Sequence, residues 1–199
     1  MLGFIRGILR DKDYDNITVE CGGVGFNLMV TNSCMANLPG LDEEVKIYTY
    51  LHVREDEMSL YGFESPEEKK LFLQLISVSG VGSKTAIGIL SAERMSAIIN
   101  SIINEDTSVI ANCKGIGKKT AERIIVELKD KIKPFDYIIP NDKLFDAMQE
   151  NSKALEDALI VLTSLGLSKN DATKKAKEVM TKHDTAEQIV AKVLHELGN

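Results

Sequence analysis

The chain has 199 residues, a formal charge of −6, 44% hydrophobic and 27% charged residues, a globular composition that excludes wholesale disorder and leaves room for one domain or a few small ones. No apolar run approaches the roughly 20 residues of a membrane span, and the start Met1–Asp15 lacks the features of a signal peptide, so we expect a soluble, unexported, cytoplasmic protein. The acid excess is local: residues 1–63 hold 5 Lys and Arg against 10 Asp and Glu, whereas 64–142 hold 11 of each and 143–199 hold 8 against 9, so net charge alone does not exclude a nucleic-acid partner.

In chain order, short β-branched and aromatic runs at Phe4–Leu9, Ile17–Cys21, Val24–Val30, Val45–Val53 and Ser59–Phe63 are separated by turn-formers such as Asp13-Tyr14-Asp15-Asn16 and Gly22-Gly23. Five strands in 63 residues close most economically into a small barrel of the OB type, with a sandwich-like sheet as the alternative. At Ser65-Pro66-Glu67-Glu68 the pattern changes to helical period: a Ser cap, Pro at the first helical position and acids in the first turn. Helices are expected across 64–133, broken mainly at Gly80-Val81-Gly82 and Gly115-Ile116-Gly117. The stretch 134–151, with Pro134, Pro140 and little consistent periodicity, reads as a connector, made sticky by Phe135, Tyr137, Ile138, Ile139 and Phe145. From 152 to 199 three helices are readable, the first through Leu155, Ala158, Leu159 and Leu162 to Gly166, the others capped at Ser168 and Thr185. Such a small bundle is expected to dock onto something rather than to do chemistry. The fold class is thus multidomain α+β: an N-terminal OB-type barrel, a central all-α segment and a C-terminal three-helix bundle.

The sequence repeats itself. Leu75–Ala86 aligns with Ile110–Ala121 at an offset of 35, with Gly, Gly, Lys, Thr and Ala coincident in both copies and Ile89 matching Ile124 beyond them. Two glycines around one apolar residue permit backbone angles that other residues resist, and leave amides bare at the start of the next helix. Helix dipole and unpaired N–H groups both favour a phosphate there, while Val81 or Ile116 plugs the turn into the core. Lys84, Lys118 and Lys119 stand beside those amides, with Arg123 one turn on. Contacts of this kind go to backbone phosphate, so such a reader is expected to be indifferent to base sequence.

Competing chemistries fit poorly. A dinucleotide fingerprint needs a preceding strand and a third glycine, but position 85 is Thr and the flanks are helical; a Walker loop needs Gly where Asn112 stands and Ser or Thr where Lys119 stands. No cofactor is expected. Cys21, Cys34 and Cys113 form no C-x-x-C pair and read as reduced thiols, and His52, His183 and His195 are scattered, so neither a disulfide framework nor a zinc site is expected. Glu55, Asp56 and Glu57 raise the thought of a metal-dependent nuclease, but as consecutive strand residues they would alternate faces and could not converge on one ion. No catalytic residue is assigned.

On these residues the chain resembles the RuvA family of bacterial Holliday-junction-binding proteins. The resemblance spans essentially the whole chain and is most specific in Gly115-Ile116-Gly117-Lys118-Lys119-Thr120-Ala121-Glu122-Arg123, in Val53-Arg54-Glu55-Asp56 with Leu60-Tyr61-Gly62-Phe63, and in Gly22-Gly23-Val24-Gly25. It implies that 64–133 is a tandem helix-hairpin-helix domain, with Gly80, Gly82, Lys84, Gly115, Gly117, Lys118, Lys119 and Arg123 holding DNA arms. It further implies a homotetramer, or an octamer of two, spreading a four-way junction; a hexameric RuvB-type ATPase gripped by the C-terminal bundle; and a RuvC-type resolvase as a further partner.

The same resemblance matches Glu55 and Asp56 to an acidic pin that points at the junction centre and repels phosphates. Without it they would read as a solubilising turn. Arg54 beside them would bind a strand backbone or pair with a neighbouring carboxylate. Ser83 stands where many relatives carry Pro, and Ser79 where a side-chain amide is common, which softens the first hairpin's polar contacts. Leu155, Leu159, Leu162 and Leu165 lie at helical spacing, more often core than interface. Two other classes compete: a generic duplex-binding module of a repair enzyme, marked by equal affinity for duplex and junction, and a pure protein-interaction adaptor, marked by absent or salt-insensitive DNA binding.

Overall fold

The computed structural model describes residues 2–133, 137, 143–181 and 184–197, arranged as two compact units, 1–132 and 133–199. Pro134, Phe135, Ile138, Ile139, Pro140 and His183 lie outside the described residues.

The first unit begins with five strands, β1 (Phe4–Lys12), β2 (Asn16–Cys21), β3 (Val24–Val30), β4 (Glu44–Val53) and β5 (Met58–Phe63), closed into a barrel in the order β1-β2-β3-β5-β4. This settles the choice between barrel and sandwich. Alternation decides which side chains fill it: Ile17 and Val19, Leu28 and Val30, and Val45 and Ile47 are two apart on their strands, Ile5 and Leu9 four apart, and all are buried. Closure relies on the antiparallel β1–β4 ladder and on a short parallel seam, Met29 with Tyr61 and Val30 with Gly62. Gly62 leaves no room for a larger residue, because a Cβ there would sit 2.7 Å from Ile47 Cγ2 and 2.9 Å from Val30 Cγ1.

A one-turn helix, α1 (Asn32–Ala36), follows β3; Thr31 caps it by accepting from the Cys34 amide, and Cys34 enters the barrel core. Five further helices follow the barrel: α2 (Pro66–Ile76), α3 (Ser83–Ala92), α4 (Met95–Ile103), α5 (Ser108–Ala111) and α6 (Lys118–Leu128). Ser65 caps α2 through the Glu68 amide, with Pro66 at its start. Phe72 of α2 packs on the barrel's aromatics, its ring centroid 4.8 Å from Phe63, 5.3 Å from Tyr50 and 5.5 Å from Tyr61. Burying that side chain contributes about 2 to 3 kcal/mol. Glu68, buried one turn earlier, accepts from Thr31 Oγ1 at 2.7 Å, Ser33 Oγ at 2.6 Å and the Glu64 amide at 2.9 Å, so one carboxylate fastens α2 to the α1 segment.

The helical stretch has more breaks than its two glycine turns. One falls at Glu93-Arg94 between α3 and α4, and another at 104–107, where Glu105 takes φ 58°. Neither carries Gly or Pro.

In the second unit α7 (Lys143–Ser164), α8 (Lys169–Val179) and α9 (Ala186–Leu197) bury Ala158, Leu162, Ala172, Ala176, Ile189 and Val193 against one another. Helix α7 starts at Lys143, so the later part of the stretch read as connector is helical. Gly166 at φ 100° ends it, with the Leu167 amide donating to the Leu162 carbonyl and the Gly166 amide to that of Thr163. Ser168 caps α8 through the Asp171 amide, and Thr185 and Gln188 exchange side-chain-to-amide bonds at the start of α9. Leu162 is core, Leu155 and Leu159 pack against it, and Leu165 is exposed.

Among the described residues no single helix is long and apolar enough to cross a membrane, and no group of three His, Cys, Asp or Glu is placed to hold a metal ion. The three cysteines are free thiols; burial, then Glu68 and Glu64, push the Cys34 thiol up to about 12.

Candidate nucleic-acid interface

The duplicated segments fold alike. After α2 the chain turns through Ser77–Gly82 into α3, and after α5 it turns through Asn112–Gly117 into α6. Each turn is closed by the amide of its central apolar residue, Val81 to the Val78 carbonyl at 3.0 Å and Ile116 to that of Cys113 at 3.1 Å. Each apolar pair is buried, and each first glycine is left-handed, Gly80 at φ 88° and Gly115 at φ 84°. A side chain there would be strained, so the fold itself requires these two glycines.

The second glycine of each turn has a different basis. Gly82 (φ −88°, ψ 171°) and Gly117 (φ −85°, ψ 161°) cap α3 and α6 in extended backbone that any residue adopts, and an added Cβ would meet nothing within 4 Å. Neither helix start has a side-chain cap. The two helix starts therefore lack a side-chain acceptor for their first-turn amides and have open space where the capping residue's side chain would stand, the arrangement that receives an anion at a helix N-terminus.

Lys84 lies in the first turn of α3, and Lys118 and Lys119 in the first turn of α6, all exposed. Lys114, exposed next to Gly115, adds a cation that the sequence reading did not select; the repeat alignment, which sets it opposite Ser79, contained the signal. Ser83 is buried at the first helical position of α3, a place that also suits Pro. Arg123 Nη1 donates to the Ser79 carbonyl at 3.1 Å, so this guanidinium of the second motif clasps the first hairpin.

Arg54, Glu55, Asp56 and Glu57 form the exposed turn between β4 and β5, with the Arg54 amide donating to the Glu57 carbonyl at 2.8 Å. They are not consecutive strand residues, so face alternation does not govern them. Glu57 instead accepts from Ser59 Oγ at 2.6 Å and faces Lys84 Nζ at 3.4 Å; Ser59, then Lys84, hold its carboxyl below the usual range. Arg54 Nε donates to His52 Nε2 at 2.9 Å, folding the guanidinium back along β4, and its charge acts on the neighbouring Glu57 carboxyl.

Comparison with known proteins follows the same division. Residues 1–62 match the family described as RuvA N terminal domain, and residues 72–130 match SAM-like Helix-hairpin-helix tandem. Over 203 residues the chain is 36% identical to the Holliday junction branch migration complex subunit RuvA of Vibrio parahaemolyticus, covering 98% of each chain. It is 38% identical over 197 residues to the protein of that name from Clostridium botulinum strain Eklund 17B, covering 99% of each. It is also 38% identical over 198 residues to that from Caldanaerobacter subterraneus, covering 100% of each.

Proposed function

This chain belongs to the RuvA family, and we propose on that footing that it binds four-way DNA junctions without regard to base sequence and holds them open and square for branch migration in homologous recombination and repair. The observation that carries this reading is the pair of matching uncapped helix starts, Gly82 and Gly117, each behind a left-handed glycine and beside exposed lysines. Phosphates of a DNA arm would be received by the first-turn amides of α3 and α6, with Lys84, Lys118, Lys119 and Arg123 supplying countercharge. Glu55 and Asp56 would stand at the junction centre as a pin, repelling phosphates and steering strands outward.

The protein works as the targeting subunit, not the motor. It would act in the cytoplasm as a homotetramer, or two stacked as an octamer, with the C-terminal bundle recruiting a RuvB-type hexameric ATPase and with a RuvC-type resolvase engaging the same junction. Exposed Ile160 and Val161 on α7, Leu165 just after it, and Leu194 and Leu197 on α9 support a docking role for that bundle.

The test is a gel-shift titration of the protein alone, without ATP, against a four-way junction and a linear duplex of the same sequence. Preference for the junction by orders of magnitude, with discrete bands for successive tetramers, is expected. Equal affinity would reduce the protein to a general duplex-binding module, and salt-insensitive or absent binding would leave an adaptor.

A further inference from the structure

The two hairpins share a backbone but not an electrostatic setting. At equivalent positions of the repeat the first has Ser79, Ser83 and Lys84 where the second has Lys114, Lys118 and Lys119. The first hairpin's lysine is also the one that meets a carboxylate: Lys84 Nζ lies 3.4 Å from Glu57 Oε1. Among the described residues Lys114, Lys118 and Lys119 have no such ion pair. Glu57 is held in place from two sides, by the Ser59 hydroxyl on its carboxylate and by the Arg54 amide on its carbonyl.

We propose that Glu57 is a built-in counter-ion for Lys84, making the first hairpin a weak, releasable grip on the DNA backbone while the second hairpin supplies most of the affinity. The inference rests on the hairpins being the phosphate-binding surface. A phosphate arriving at Lys84 must displace a tethered carboxylate that stays close by, so the pair brings little net charge to the DNA. Fewer condensed cations are then released at this site than a lone lysine would release. Because Glu57 closes the same turn that carries Glu55 and Asp56, occupation of Lys84 by phosphate also releases that turn from α3. The grip on an arm and the posture of the acidic turn are thereby linked through one ion pair.

The test is equilibrium binding of the full-length protein to a four-way junction across a salt series, comparing wild type with Glu57→Gln, Lys84→Gln, the double variant, and Lys119→Ala. Glu57 is exposed, so its amide variant is expected to fold as wild type does. Glu57→Gln is expected to tighten binding about two- to fivefold at low salt, the fold-change that corresponds to an exposed pair. It should also steepen the fall of log K with log salt, by up to about 0.9 per engaged first hairpin. Both effects should vanish in the Lys84→Gln background. An unchanged or weakened Glu57→Gln overturns the proposal, and so does an equal gain with Lys84 already removed, which would show only general repulsion between Glu57 and DNA. Lys119→Ala separates the two levels: if it fails to weaken binding, the hairpins are not the phosphate surface and the functional reading itself falls.

Discussion

Arg123 and Ser79 lie 44 positions apart and join the two halves of the repeat, the guanidinium on α6 donating to a carbonyl in the first hairpin. The bond makes Arg123 a spacer between the two glycine turns proposed to receive phosphate, as well as a cation near them. Arg123→Ala is expected to weaken junction binding and also to speed exchange of the amides closing the first hairpin, Val81 above all. Lys119→Ala should weaken binding and leave that exchange unchanged. Hydrogen exchange on the unliganded variants checks this; equal protection in both would reduce Arg123 to a simple charge.

The paired glycines make opposite predictions within one turn. Gly115→Ala forces an L side chain into φ 84° and should destabilise the protein by about 1 to 2 kcal/mol. Gly117→Ala has ordinary backbone and open space around it, so its effect on stability should stay under about 1 kcal/mol. Its methyl group nonetheless projects where a phosphate would approach the amides, and DNA binding should fall by more than stability does. Thermal melts set beside binding curves separate the two losses.

Glu68 is a buried carboxylate with three donors aimed at it. Glu68→Ala takes the acceptor from Thr31, Ser33 and the Glu64 amide, and the expected loss is about 1 to 3 kcal/mol, set mainly by Thr31, the one buried residue of the three. Chemical denaturation reads this directly. A near-neutral result would mean that water takes over the site.

Removing Glu55 and Asp56 from the turn should change discrimination rather than attachment. With Glu55→Ala and Asp56→Ala, junction affinity is expected to hold or rise while the preference for junction over duplex shrinks, because the repulsion proposed for the pin would be removed. Lost binding in this variant would contradict the pin.

Asp184 provides a pH handle in the second unit. Lys192 Nζ at 2.6 Å, and the Thr181 amide at 2.7 Å, hold its carboxyl down at about 2. A carboxylate with a lowered folded value contributes stability above its unfolded pKa of roughly 4, and that contribution fades as pH falls from there toward 2. Asp184→Asn should therefore be less stable than wild type at neutral pH and equal to it near pH 2, a difference visible in acid titrations of the melting temperature.

The repeat was legible in the sequence because its constraints are local: a left-handed glycine, a buried plug and a lysine at fixed offsets leave a mark at every position. The barrel was legible because two-residue alternation survives in Ile5, Leu9, Ile17, Val19, Leu28, Val30, Val45 and Ile47. Helix α1 escaped because five residues are too few to show a period. The break before α4 escaped because Glu93 and Arg94 take extended angles without Gly or Pro to announce them. Helix α7 starts ahead of the first readable period, inside a stretch whose prolines suggested a connector. The clasp of Arg123 on Ser79, the Glu57–Lys84 pair and the return of Arg54 to His52 depend on where the chain doubles back, which no spacing rule encodes.

The aromatic seam of Tyr50, Tyr61, Phe63 and Phe72, with Glu68 beneath it, bears on how the protein can be dissected. A fragment ending at Phe63 would keep every strand yet lose the helix that covers three of those rings, and its Thr31 and Ser33 hydroxyls would lose their shared acceptor. The β-strands thus make poor cargo for transplantation by themselves. Any shuffling of this architecture, in the laboratory or in evolution, has to carry α2 along with the barrel.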